Sequence, residues 1–589
     1  MTTIQYSKRS QPLESPQIDS LLAKGFEAHR SGDLDAAETC YRMVLEKEPD
    51  SGQALYLLGL AKAAWEDWTE AENLIRRSLR ILPENADMLA NLAATQLALD
   101  KADMAEKNLR RALVLSPDHV ESRVNLGIAL RKQGRPQEAL KPLREALKKA
   151  PNHPRAQDTI ANALEDLSRH ALDARDLSAA SSYLSELEKC RPHHVNTLLL
   201  RGNLSLADGD IDGAENSYRK SLSLDPEEPD AHANLGSVMA ARLNLDEAIS
   251  DFDRAIALQP NSSEYRFNRS LIYLLRGDFK KGWVDYDQRR LPDGSLAEGE
   301  WLQFTPDTIS GMRVLVFAEQ GFGDSLQFVR YLPMLKATGA EVHLVCQPEL
   351  RALFESSVHI DGFPEDFSGD WDIRIPLLSL PRFFSTDLDS IPGAVPYLFP
   401  DQKRMPAFAD VANETPVKLG IFWQGRKMHR NRFNRRSCSP QDFCDLGTLS
   451  GVKLYSLQKG EGGKMLDLKD VPVFNLAPRM RDFADTAAAV ASLDLIISVD
   501  TAVAHLGGAM GKPVWTLLPY SADWRWLLGR EDTPWYPTMR LWRQPEPGDW
   551  ESVFVKVKEA LSELVHKTHV RENMVHGNHI RYHMDREMC

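Results

Sequence analysis

Cysteine is scarce in this 589-residue chain, and its six copies, at 40, 190, 346, 438, 444 and 589, include no C-x-x-C pair. That spacing offers neither a zinc site nor a dithiol redox motif, and it fits reduced thiols in a cytosol. Positive charge is in deficit: 71 Lys and Arg stand against 84 Asp and Glu, a formal net charge of -13. Wholesale nucleic-acid binding needs a basic field, so no nucleic-acid partner is expected. Also missing is an uncharged apolar run of the roughly 18 residues that a membrane span requires. The opening MTTIQYSKRSQPLESPQ has no apolar core of the signal-peptide kind. A soluble, cytoplasmic protein is expected, with 1–17 as a flexible tail. At roughly 150 residues per domain, the length implies about three to five compact units.

What the sequence has in abundance is repetition. Pro49, Pro83, Pro117 and Pro151 are 34 residues apart, as are Pro192, Pro226 and Pro260, with one step of 41 between the two runs. A small residue recurs within each unit (Gly25, Gly59, Ala93, Gly127, Gly202, Gly236), and an alanine follows it twelve positions on (Ala37, Ala71, Ala105, Ala139, Ala214, Ala248). The small residue in a first helix lets a second helix approach closely, the alanine does the reciprocal job, and proline ends the pair. This pattern resembles the tetratricopeptide repeat. It implies an α-solenoid over 18–292, with seven regular units and an irregular eighth. The seven extra residues of the fifth unit equal about two helical turns and can lengthen a helix pair without breaking the stack. Such arrays expose a groove for a peptide or partner protein. Asn91, Asn125 and Asn234 each stand two positions before the small residue. In the related arrays of the nucleocytoplasmic O-linked N-acetylglucosamine transferases, asparagines at this position hold a peptide backbone, which suits an amide that both donates and accepts. The alternative is ordinary repeat consensus.

After RRLPDGSLAEGEW the period changes to α/β. The strands RVLVFAE and EVHLVCQ bracket a helix, DSLQFVRYLPMLKAT, and short strands follow to about residue 400. A second α/β region, 417–565, runs from VKLGIFWQG through DLIISVD and PVWTLLP to the helix WESVFVKVKEALSEL. Two Rossmann-like halves, 312–400 and 417–565, are expected, with the ligand cleft at the strands' C-terminal ends. That is the layout of a GT-B glycosyltransferase, with an acceptor side first and a nucleotide-sugar side second. Other two-domain nucleotide-sugar proteins share it, so fold alone leaves function open.

Four motifs carry chemistry. In SVDTAVAHLGGAMGKPVW a buried strand ends before Asp500 and Thr501, and the next helix turns its free N–H groups toward the strand's end, as an anion site requires. His505 lies one turn in. Together with GFGD, this segment resembles the ADP-heptose:lipopolysaccharide heptosyltransferases, family 9 of the glycosyltransferases. The resemblance implicates Thr501, Ala502 and His505 in holding the donor's diphosphate, with Asp500 shaping the turn. The bland alternative is a capped helix with a half-buried histidine. In GFGD, Leu326 stands where a dinucleotide loop would have its third glycine, so NAD binding is a weak reading. The resemblance makes Asp324 the general base, while Gly321 and Gly323 let backbone approach substrate; a plain helix cap is compatible with that role. A carboxylate in a desolvated cleft suits proton abstraction from an acceptor hydroxyl.

RKMHRNRFNRRSC holds six Lys or Arg residues from Arg426 to Arg436 and no acid. Such a run is usually a solvated loop. Placed after a strand it can neutralise a leaving diphosphate without metal, and the resemblance points to Arg436, then Arg435, with Lys459 of SLQKGEG as a helper. In YSADWRWLLGR, Asp523, Trp524, Arg525 and Trp526 follow a strand, and Trp524 and Trp526 are candidates for stacking on a sugar or base, with core packing as the alternative. The D-x-D triplets DFD, DYD, DWD and DLD are scattered and imply no metal. The tail 566–589, with five histidines, reads as disordered.

These residues point to a metal-independent, inverting glycosyltransferase with no cofactor, whose donor is a nucleotide-diphosphate sugar and whose array docks a protein acceptor. Two alternatives stay open: a non-catalytic scaffold with a degenerate transferase-like half, and a nucleotide-sugar epimerase.

Overall fold

A computed structural model describes residues 16–412, 417–425, 436–460 and 472–567. The chain divides into two compact units at Leu204/Ser205.

The first unit is built from helix pairs, and its small residues work as the spacing demands. The pairs Pro16–Ser31 with Leu34–Lys47, Gly52–Ala64 with Trp68–Ser78, and Val120–Lys132 with Pro136–Lys149 show it best. A Cβ on Gly25 would sit 2.6 Å from the Tyr41 ring, and one on Gly59 would sit 2.7 Å from Ile75. Ala37, Ala71, Ala105 and Ala139 are each 0% exposed, so the reciprocal position is equally closed. Asp33, Asp67 and Asp176 cap second helices by accepting the N–H three residues on, which stops the first helix from running through. The extra residues of the fifth unit lengthen its first helix, Pro154–Ala174, to 21 residues.

The second unit takes in the helices from Ile211–Leu224 onward, the last pair being Ser263–Arg276 with Phe279–Tyr286, followed by two parallel sheets. One sheet has three strands, β1 (Arg313–Phe317), β2 (Glu341–Val345) and β3 (Ile373–Pro376), in the order β2-β1-β3. The other has six: β4 (Val417–Phe422), β5 (Val452–Ser456), β6 (Val473–Asn475), β7 (Leu495–Val499), β8 (Val514–Leu518) and β9 (Met539–Arg543), in the order β6-β5-β4-β7-β8-β9. All pairings are parallel, and β7 is buried at every residue, as a central strand covered on both faces must be. The helix expected after β1 is broken. It runs Phe322–Phe328, tightens to a 3-10 turn at Val329–Tyr331 and resumes at Leu332–Ala337, because Pro333 removes a donor and its ring crowds the turn before it. Strands β6 and β9 escaped the sequence reading; β6 has only three residues, and β9 interleaves arginines with its buried positions.

The last helix pair is part of the α/β core. Phe279, Trp283 and Tyr286 are buried in one continuous cluster with Val314, Phe328, Trp524 and Trp535. Trp283 meets Trp524 edge-on at 5.4 Å and Phe328 at 6.3 Å, while its indole N–H donates to the Thr386 carbonyl at 2.9 Å. Just beyond, Arg289, with 2% of its side chain exposed, bonds Asp287 at 2.7 Å, Glu319 at 2.5 Å and the Ser379 hydroxyl at 2.9 Å. Glu319 lies two residues past β1, so this ion cluster ties the end of the repeats to the loop that carries GFGD. Burial pushes the carboxyls of Asp287 and Glu319 up, against the opposing pull of Arg289.

Two truncations test this assignment. A chain starting at Ser262 should remain soluble and unfold cooperatively, whereas one starting at Leu291 should aggregate. In the full chain, Trp283→Ala should cost the second unit about 3–5 kcal/mol by urea denaturation; a cost below about 1 kcal/mol would show that the last pair is only an appended repeat.

Candidate functional site

The site forms where two loops, each at the C-terminal end of a strand, meet. After β1 the chain turns at Gly321 into the helix Phe322–Phe328, and the Gly321 N–H donates to Asp324 Oδ2 at 2.9 Å. After β7, Asp500 and Thr501 lead into the helix Ala502–Ala509. The two helices pack so tightly that a Cβ on Gly323 would lie 3.0 Å from His505 Cδ2 and 3.7 Å from Ala502 Cα. Gly323 thus serves helix contact, while around Gly321 an added Cβ would meet only Asp324 Oδ2, at 3.1 Å.

Arg525 joins the two sides. Its guanidinium bonds Asp324 Oδ1, donates to Gln327 Oε1 at 2.6 Å through Nε and to Asp523 Oδ1 at 2.9 Å, and lies over the Trp524 ring at 4.4 Å. Burial opposes its charge, but Asp523 and Asp324 outweigh that and push its pKa up. Burial likewise pushes the Asp523 carboxyl up, yet the Arg525 guanidinium and backbone N–H overcome it and leave the group below its ordinary range. Leu527, directly after this segment, has φ +54° and ψ -165°, backbone that favours glycine and marks local strain. Sequence reading named Arg525 only as part of DWRW and passed over Gln327. The available signal was an arginine between two indoles, a setting that desolvates its charge.

Thr501 occupies the N-cap position, but its hydroxyl pairs with Ser498 Oγ at 2.9 Å instead of capping the helix. The start of Ala502–Ala509 is therefore not closed by its own cap residue, which suits an anion. Asp500 is 4% exposed; burial pushes its carboxyl up, and Arg436 opposes this from 3.3 Å. His505 departs from expectation. The residue is 4% exposed, and its ring stacks on Trp526 at 5.3 Å and pairs through Nδ1 with the Tyr536 hydroxyl at 2.9 Å. Burial first, then the Arg525 charge, pushes its pKa down to about 3, so the ring is neutral and enclosed and offers no positive charge to a phosphate.

Other expectations change as well. Trp524 and Trp526 are 4% and 0% exposed, so they pack the core beside the last repeat and His505 and present no open face for stacking. Lys459 is exposed and donates to the Met480 carbonyl at 2.6 Å. The neighbouring Gln458, which sequence reading missed, binds the ends of β4 and β5 together by accepting from Gln424 N at 2.9 Å. Arg435, like the run 426–435, lies outside the described residues. Among the groove asparagines, Asn91 donates to the Tyr56 hydroxyl at 2.6 Å. Asn125, 3% exposed, accepts from Arg155 at 2.8 Å, which corrects its reading as an open peptide contact. Asn234 is half-buried. Among the described residues no group of three or more His, Cys, Asp or Glu could hold a metal ion, and no helix is long and apolar enough to cross a membrane.

Comparison with known proteins matches different stretches of the chain to two kinds of family. Tetratricopeptide repeat family models match residues 22–86, 84–152, 165–229, 199–263 and 234–290. The glycosyltransferase family 9 (heptosyltransferase) model matches 463–537, which includes Asp500 to His505 and Arg525. The chain is 27% identical over 401 residues to Protein FlbA of Caulobacter vibrioides, a match that covers 60% of this chain and 65% of that protein. Among solved structures, a tetratricopeptide repeat protein from Parabacteroides merdae matches at 18% identity and TM-score 0.29, covering 44% of this chain and 98% of that one. Pseudomonas aeruginosa PilF matches at 20% and 0.28, covering 36% and 95%.

The state of His505 has a pH signature. A histidine held neutral in the fold and free to protonate when unfolded stabilises fully above its ordinary pKa of 6.5 and loses that contribution as pH falls toward about 3. Between about pH 6.5 and 4.5 the loss should reach roughly 2–3 kcal/mol. His505→Gln should flatten this dependence, so the stability gap between wild type and variant narrows on acidification. A gap independent of pH would show that the ring is not held neutral.

Proposed function

We propose that this chain is a metal-independent glycosyltransferase of the GT-B type, which moves a sugar from a nucleotide-diphosphate donor to an acceptor hydroxyl with inversion. The repeat array docks the protein that bears or presents the acceptor. The observation that carries this reading is the convergence of Asp324, through Arg525 and the Gly323 contact, with the uncapped start of the helix Ala502–Ala509, and that helix start and Arg525 lie inside the stretch similar to the family 9 transferases.

Each residue then has a task. The acceptor hydroxyl loses its proton to Asp324 as it attacks the anomeric carbon, while the bond to the donor's diphosphate breaks on the opposite face. The Gly321 N–H and Arg525 fix the direction of the carboxylate, and each of its oxygens keeps a second lone pair for the incoming proton. The leaving diphosphate meets the N–H groups of Ala502 and its neighbours, the Thr501 hydroxyl and the Arg436 guanidinium, where a charge-assisted bond counts for about 1.5–3 kcal/mol. His505, enclosed and neutral, holds Trp526 and Gly323 in register.

One observation favours the scaffold alternative: both oxygens of Asp324 already have protein partners. Isothermal titration of the full chain with a panel of nucleotide sugars separates the two. A transferase binds at least one, Arg436→Ala weakens that binding about 10- to 100-fold, and Asp324→Asn keeps it while turnover falls about 10²- to 10⁴-fold. Absence of binding across the panel would sink the transferase reading, and undiminished turnover in Asp324→Asn would remove Asp324 from its role.

A further inference from the structure

Next to Arg436 the second unit contains a cavity of about 600 Å³ that no residue of the proposed mechanism lines. Small-molecule clefts run from roughly 300 to 1,000 Å³. Three segments build it: the turn at Asp208, the loop Ser437–Ser439 that enters the 3-10 turn Pro440–Phe443, and the turn from Gln544 to Trp550 after β9. It therefore lies along the β9 side of the six-stranded sheet, one residue from the Arg436 that bonds Asp500.

Its chemistry is selective. The polar groups on its wall are carboxylates, hydroxyls and an amide, from Asp208, Asp442, Ser437, Ser439 and Gln544, and among the described residues no lysine or arginine lines it. Gln544 is the most telling member. It is 5% exposed, and its Oε1 accepts the Tyr520 N–H at 3.1 Å and the Gly548 N–H at 3.2 Å, which fixes the amide's orientation. Its Nε2 has no hydrogen-bond partner. A buried donor left unmet is unfavourable, so a ligand oxygen that reached it would offset that cost. Asp442 holds the Ser439 N–H at 2.8 Å through Oδ2. Trp550 is half-buried and adds an indole to the same wall. An indole beside carboxylate, hydroxyl and amide groups is the set that grips a sugar ring by its apolar face and its hydroxyls.

We propose that this cavity is a second ligand site for a neutral polyhydroxylated ring of the hexopyranoside class, seated on Trp550 and hydrogen-bonded to Gln544 and Asp442. The binding stands by itself; its role, seating the saccharide end of an acceptor beside the donor site, rests on the transferase reading.

Saturation-transfer NMR on the full chain with methyl α-glucopyranoside, methyl α-mannopyranoside and methyl α-galactopyranoside tests it. Ser437 is exposed, so Ser437→Trp fills the cavity without removing a packed side chain, and Trp550→Leu removes the platform. The expected result is transfer to at least one glycoside in wild type and a loss of at least about 5-fold in both variants, in line with one aromatic contact. Unchanged thermal unfolding of Ser437→Trp would accompany that loss. No transfer to any of the three in wild type, or undiminished transfer in Ser437→Trp, would overturn the proposal. Glycoside binding without nucleotide-sugar binding would keep the site and reject the transferase reading; nucleotide-sugar binding and turnover without glycoside binding would do the reverse.

Discussion

A single buried guanidinium sets the terms for the second unit. Arg525 is 6% exposed and shared between Asp523 on its own segment and Asp324 on the other side of the site, 201 residues away in sequence. A charge in that position is tolerable only while both carboxylates and Gln327 stay in place, because a buried ion stripped of its partners costs several kcal/mol. The requirement runs both ways. The helix Phe322–Phe328 cannot shift away from Ala502–Ala509 without breaking the ion pair, and Gly323 against His505 leaves no room for it to slide closer.

The same constraint explains why the last repeat belongs to the α/β core. The floor beneath Arg525 is Trp524, which Trp283 and Tyr286 meet edge-on. Removing that helix pair would hydrate the aromatic floor and weaken the pairing above it, since the attraction between charges rises as water is excluded. The Arg289 cluster adds a second attachment on the opposite side of GFGD, through Glu319. Anything that moves the end of the repeats is thereby felt at the loop that aims Asp324. The last helix pair and the GFGD loop are joined at that junction by buried ion pairs and packed rings.

How much of this was legible depends on whether a feature rests on sterics within a short stretch or on partners far apart. Gly25, Gly59 and the alanines twelve positions later could be read directly, because closeness of two helices in one pair demands a missing side chain at a fixed interval. GFGD and DTAVAH were legible for a similar reason, each being a strand, a turn and a helix start in sequence. Arg525 was not: its role exists only through Asp324 and Gln327, and an arginine after a strand is ordinarily solvated. Asn125 misled because the neighbour that engages it, Arg155, stands about one repeat away and changes the meaning of the amide. The tryptophans misled because an indole reads alike as stacking platform and as core until its neighbours are known.

Charge at the site carries one more consequence. Among the described residues the cluster holds three carboxylates, Asp324, Asp500 and Asp523, against two guanidinium groups, Arg436 and Arg525. With His505 neutral, the ledger is one negative charge in excess. An open helix start contributes roughly half a positive charge, which does not reverse the sign. A diphosphate entering such a place would be repelled unless further cations accompany it, and the sequence supplies five more Lys or Arg residues between Arg426 and Arg435. On the proposed reading, the buried cluster, fixed by packing, would set the geometry of the reacting groups, while the attraction for a diphosphate would have to come from cations outside that cluster.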